Sequence, residues 1–115
     1  MTQELKLKAQ LMRDGEIALG PGKADLLEAI VAHGSISAAG RAMGLSYRRA
    51  WLMVDTMNRC FASRLVATRK GGPGGASLTD EGRAVLAAYR RLQASLDHAA
   101  KPAAEGLLSR LAPPG

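Results

Sequence analysis

The stretch GSISAAGRAMGLSYRRAW, from Gly34 to Trp51, leaves the chain little choice of local structure. Ser35 and Ser46 each precede a run of helix-compatible residues. A serine hydroxyl at that position accepts a bond from a first-turn backbone N–H that would otherwise be unpaired. Gly44 separates the two runs, and glycine ends helices where left-handed backbone is required. The residues between the caps are small: Ala38, Ala39, Gly40 and Ala42. Small residues let two helices cross closely and steeply, which is the geometry of a helix-turn-helix. In the first of these helices Ile36, Ala39, Ala42 and Met43 are expected to face inward.

The second helix of the pair is expected to run from its Ser46 cap to about Phe61. Ala50, Val54, Met57 and Phe61 recur at i, i+4, i+7 and i+11 and form its core face. At about 100° per residue, Arg48, Leu52, Asp55 and Arg59 fall opposite. Arg49 lies to one side of that stripe and Trp51 to the other, where Trp51 reads as a packing residue at the edge of the core. Arg48 and Arg49 stand in the first turn, the end at which the helix dipole disfavours positive charge. Their placement calls for an anion outside the helix.

The flanking segments supply the rest of a winged fold. Leu5, Leu7, Ala9 and Leu11 alternate with polar residues, and Asp14–Gly15 is a favoured two-residue turn. Residues 5–19 therefore read as a hairpin, with Ile17 and Leu19 on the return and Gly20–Pro21–Gly22 as the break. A first helix over about 23–33 carries the apolar stripe Leu26, Leu27, Ile30 and Val31, and Gly34 stops it. After the helix pair, Leu65–Arg69 and Ala76–Thr79 read as two strands joined by a GGPGG tip. Thr79 caps a final helix with Asp80 and Glu81 in its first turn. Val85, Tyr89, Leu92 and Leu96 give that helix one apolar stripe, longer than a small core can cover, which points to a partner helix. The expected fold class is α+β: a winged helix-turn-helix over residues 1–100, with an N-terminal β-hairpin and a long C-terminal helix. Residues 101–115 are expected to be a loosely ordered tail, with a helical turn near Leu107–Leu111.

Charge is concentrated where this arrangement needs it. Residues 1–40 carry a net −1, residues 41–83 a net +5 and residues 84–115 a net +2. A basic surface of this kind attracts polyanions. Ser46, Tyr47, Arg48 and Arg49 occupy the helix start that enters a major groove, with Leu52 one turn on. Arginine can pair bidentately with guanine. Arg59 on the helix, with Arg64, Arg69 and Lys70 on the wing, are the candidates for salt-sensitive backbone contacts. Which arginines read bases and which bind phosphate stays open at this level. The expected partner is double-stranded DNA.

Other functions find less support. GGPGG is not followed by a GK[ST] sequence, so it reads as a hairpin tip and not as a phosphate cradle. His33 and His98 are far apart, and no HExxH, paired-cysteine, nucleophile-elbow or nucleotide fingerprint is present. No enzyme, cofactor or metal is expected. Cys60 is the only cysteine and reads as a small buried apolar residue. No apolar run approaches the roughly 20 residues of a membrane span, and a cytoplasmic location is expected. The competing non-enzymatic reading is a winged-helix interaction module that binds protein, or nucleic acid without sequence preference.

GPGKADLLEAIVAHGSISAAGRAMGLSYRRAWLMVDTMNR closely resembles the N-terminal winged-helix domain of the ModE family of molybdate-responsive regulators. The GSIS…A…G-S-Y-x-x-A-W…MN pattern carries most of the likeness, and the glycine-rich wing followed by SLTDEG is also similar. The resemblance covers approximately residues 5–96; a looser one, to the LysR-type DNA-binding domain, covers about 26–82. It implies a dimeric DNA-binding regulator, with the N-terminal hairpin or the final helix as the dimer contact. Full-length members add a pair of small molybdate-binding domains. Fewer than twenty residues follow Leu96 here, so the resemblance does not extend to molybdate sensing, and the effector is left unassigned.

Overall fold

The computed structural model describes residues 3–69 and 74–113. Its elements run β1 (Leu11–Arg13), β2 (Glu16–Leu19), α1 (Pro21–His33), α2 (Ile36–Ala42), α3 (Tyr47–Cys60), β3 (Val66–Thr68), β4 (Ala76–Leu78) and α4 (Asp80–Leu108). Three helices followed by an antiparallel hairpin and a fourth helix make an α+β winged helix-turn-helix, with a second hairpin at its N-terminus.

The β1–β2 turn falls at Asp14–Gly15, both with positive φ (50° and 83°), as a tight hairpin turn requires. The ladder is shorter than the alternation from Leu5 suggests. It pairs only Leu11–Arg13 with Glu16–Leu19, and residues 3–10 lie outside it. The return arm stops at Leu19 because Pro21 starts a helix, so no strand remains to pair with anything before Leu11. Proline is favoured there because its missing N–H is not needed in the first turn. The N-terminal segment instead reaches α4. Tyr89 donates its hydroxyl to the Ala9 carbonyl at 2.7 Å, and the Gln3 side chain donates to the Ala112 carbonyl at 2.6 Å.

The core is aliphatic: Leu19, Leu26, Leu27, Ile30, Ile36, Met57, Leu65 and Val66 are its largest fully buried side chains. Two positions expected to face inward do not: Val31 is 64% exposed and Ala42 is exposed. α1 spends its inward arc on Ala24, Leu26, Leu27 and Ile30, and α2 is a two-turn helix seated on Ile36, Ala39 and Gly40. Each places the remaining apolar residue past the edge of the buried face. Phe61 packs against the core only partly buried, at the α3 C-cap.

The wing pairs Val66 with Leu78, Ala67 with Ser77 and Thr68 with Ala76. The wing is tied down at both ends of its second strand. The Ala76 N–H donates to the Gly34 carbonyl at 2.9 Å, and Thr79 donates through its hydroxyl to Arg64 O (2.6 Å). The same hydroxyl accepts from the Gly82 N–H at 2.9 Å, capping α4.

The helix α4 runs on through Leu108, where a loose tail was expected from residue 101. Pro102 removes one intrahelical bond, a cost of about 3 kcal/mol in an isolated helix. Packing offsets it. Ala104 is buried, and Ala104 and Leu108 share a groove with Leu5 and Leu7 of the N-terminal segment. Tyr89 is the last residue of α4 in the main core, and the expected stripe beyond it is partly bare, with Leu92 39% and Leu96 37% exposed.

Candidate nucleic-acid interface

The helix pair is assembled by its caps and its crossing. The Ser35 hydroxyl accepts from the Ala38 N–H and the Ser46 hydroxyl from the Arg49 N–H, each at 3.1 Å. Gly44 takes φ 71° in the turn, and the Leu45 N–H donates to Gly40 O at 2.8 Å. Ala50, Val54 and Met57 anchor α3 in the core. The helix therefore has one free stripe, and Arg48, Leu52, Asp55 and Arg59 lie exposed along it.

The wing and the N-terminal half of α3 form one continuous surface. Tyr47 and Trp51 are exposed and in aromatic contact, with ring centroids 6.1 Å apart and planes tilted by 54°. They line a groove with Ser37 of α2 and with Thr68, Arg69 and Gly75 of the wing. Arg69 lies across Gly75, where an added Cβ would stand 3.3 Å from its Nε. Trp51 also walls a second groove with Asn58, Arg64 and Val66. At 38% exposed it stands at the edge of the core, as the sequence suggested, and it also borders the candidate interface.

Electrostatics divides the arginines. Among the described residues Arg48, Arg49, Arg64 and Arg69 pair with no carboxylate. Arg59 differs. Its Nη1 and Nη2 donate to the two oxygens of Glu16 at 3.0 and 3.1 Å, and its Nε donates to Asp55 at 3.0 Å. These bonds hold the Glu16 carboxyl below the usual carboxylate range and raise the Arg59 guanidinium further. Arg59 thus adds less free positive charge than its place on the stripe implied. Lys70, a candidate phosphate contact, lies outside the described residues.

Sequence reasoning passed over Asn58. Its Oδ1 accepts from the N–H groups of Leu65 (2.9 Å) and Val66 (3.1 Å), and its Nδ2 donates to Val66 O at 3.1 Å. One side chain thereby seats the first wing strand on α3. The available signal was its place beside core-facing Met57, where a polar residue needs partners.

Among the described residues no three His, Cys, Asp or Glu side chains come together in a way that could hold a metal ion. No described helix is long and apolar enough to cross a membrane.

A capped, glycine-turned helix pair with a basic second helix and an adjoining wing defines a winged helix-turn-helix protein. Residues 23–83 match the bacterial regulatory helix-turn-helix proteins of the lysR family, and the chain belongs to that family. Its relatives include a molybdenum-pterin-binding protein, MopA, of Rhodobacter capsulatus, 39% identical over 84% of this chain and 37% of MopA. The molybdenum transport protein ModE of Azotobacter vinelandii is 42% identical over 75% of this chain and 33% of its own length. The DNA-binding transcriptional dual regulator ModE of Escherichia coli strain K12 is 36% identical over 74% of this chain and 31% of its own. The chain thus spans about a third of the length of the curated relatives it matches.

Proposed function

We infer that the chain is a DNA-binding transcriptional regulator of the ModE type, sequence-specific, non-enzymatic and cytoplasmic, that acts as a homodimer. The observation that carries this reading is the set of four arginines without carboxylate partners among the described residues, two on the first turn of α3 and two on or beside the wing. Ser46, Tyr47, Arg48, Arg49 and Leu52 enter the major groove, while Arg64, Arg69 and Lys70 bind phosphates and set the register. Arg59, at the far end of the stripe, is the further candidate for a phosphate contact, weakened by its bonds to Glu16 and Asp55. The molybdenum-related names belong to relatives more than twice as long, and the reading for this chain is confined to DNA.

The dimer is supported by apolar surface that the single chain leaves uncovered. Leu92 and Leu96 of α4, with Leu5 and Leu7 of the N-terminal segment, are each more than a third exposed. Covering such a row against a second copy would hold two α3 helices at a fixed separation.

Selection of binding sites from a random duplex pool at near-physiological salt tests both parts. An enriched inverted repeat is the expected result. A single unrepeated site would remove the dimer, and no enrichment would remove sequence-specific binding.

A further inference from the structure

Asp55 is the only carboxylate in α3, and it stands on the exposed stripe two turns beyond Arg48. A free negative charge facing a polyanion weakens binding to every sequence. The ion pair with Arg59 offsets part of that cost, and a specific contact offsets more. The surroundings of Asp55 fit that role. Its Oδ2 accepts from Arg59 Nε at 3.0 Å, and Arg59 is clamped in turn by both oxygens of Glu16. The side chain is 63% exposed, and among the described residues its Oδ1 makes no hydrogen bond. Asp55 therefore holds one oxygen on Arg59 and keeps the other unbonded among the described residues, on an exposed side chain between Leu52 and Arg59 of the stripe.

In the major groove a lone carboxylate acceptor suits one base edge. Cytosine offers its N4 amino group, guanine and thymine offer acceptors, and adenine sets an acceptor N7 beside its amino group. We propose that Asp55 is a specificity-determining residue that accepts a hydrogen bond from a cytosine amino group, and that Arg59 and Glu16 are its positioning residues. The proposal rests on the DNA-reading function inferred above.

The test repeats the pool selection with the full chain and its Asp55→Ala, Asp55→Asn and Glu16→Gln variants, each first shown to be fully folded at the selection temperature. The wild type should select a cytosine at one position of each half-site. Asp55→Ala should lower discrimination there by about 5- to 150-fold, the worth of one base contact, and leave other positions unchanged. Asp55→Asn, nearly isosteric, should move the preference at that position toward adenine, which an amide can pair at N6 and N7. Glu16→Gln should blur the same position alone, a readout that loss of stability would not produce. If both Asp55 variants select the wild-type motif, with affinity merely raised for all sequences, the proposal is overturned and the DNA-reading function stands. If the wild type itself enriches nothing, both fall.

Discussion

Gly40 of α2 lies against Ala50 of α3 so closely that a Cβ added at position 40 would stand 2.9 Å from the Ala50 Cβ. The helix crossing is set by this contact. For Gly40→Ala, helix propensity contributes about 1 kcal/mol in favour. Overpacking opposes it by about 1–3 kcal/mol. The clash should win, because the Ala50 methyl has no rotamer by which to retreat. Gly106, in α4, has nothing within 4 Å of its added Cβ, so Gly106→Ala should stabilise by up to about 1 kcal/mol. Urea midpoints of the two variants should move in opposite directions; equal gains would mean the crossing is not tight.

Asn58 makes the corresponding join on the wing side. Asn58→Ala leaves the Leu65 and Val66 N–H groups without their acceptor, and both residues are buried. A loss of about 1–3 kcal/mol is expected. Amide exchange at Leu65 and Val66 should speed up more than exchange in α1. Uniform acceleration across the chain would show that the side chain does not hold the wing individually.

The helix pair was legible because its determinants are local. Ser35, Gly34, Gly44 and Ser46 each fix a backbone position within one turn, and all four act as the sequence implied. What was hidden depends on distant partners. Residues 5–10 alternate like a strand, but β2 is too short to pair them, and only the fold reveals α4 as their support. That same support carries α4 past Pro102, which local rules alone treat as a stop. Arg59 reads as a free cation until Glu16, 43 residues earlier, is folded against it.

The Glu16–Arg59 pair gives stability a definite pH dependence. The folded-state pKa of Glu16 is lowered, chiefly by its hydrogen bond with Arg59, so the folded state favours the ionised form. Its contribution is complete above the unfolded-state pKa and is lost as pH falls through the lower folded value. Glu16→Gln should therefore unfold at a lower temperature than wild type near neutral pH. The gap should close below about pH 4, where unfolded glutamate itself protonates. Thermal melts from pH 7 to pH 3 measure it, and a gap that stays constant with pH would rule out the ion pair as its source.

Arg48 and Arg69 belong to the same surface but are expected to fail differently when removed. Arg69 is held over Gly75 at the wing, where a phosphate is the reachable partner. Arg69→Ala should lower affinity almost equally for all sequences and reduce the slope of log K against log salt by about 1. Arg48 stands in the first turn of α3, exposed and free of carboxylates among the described residues. Arg48→Ala should cost about 1–3 kcal/mol on the selected site and far less on unrelated DNA, shrinking the specificity ratio. Binding titrations of both variants on the selected and a scrambled duplex, at several salt concentrations, separate the two effects. Loss of specificity from Arg69→Ala, with Arg48→Ala changing only the salt slope, would exchange the roles of helix and wing.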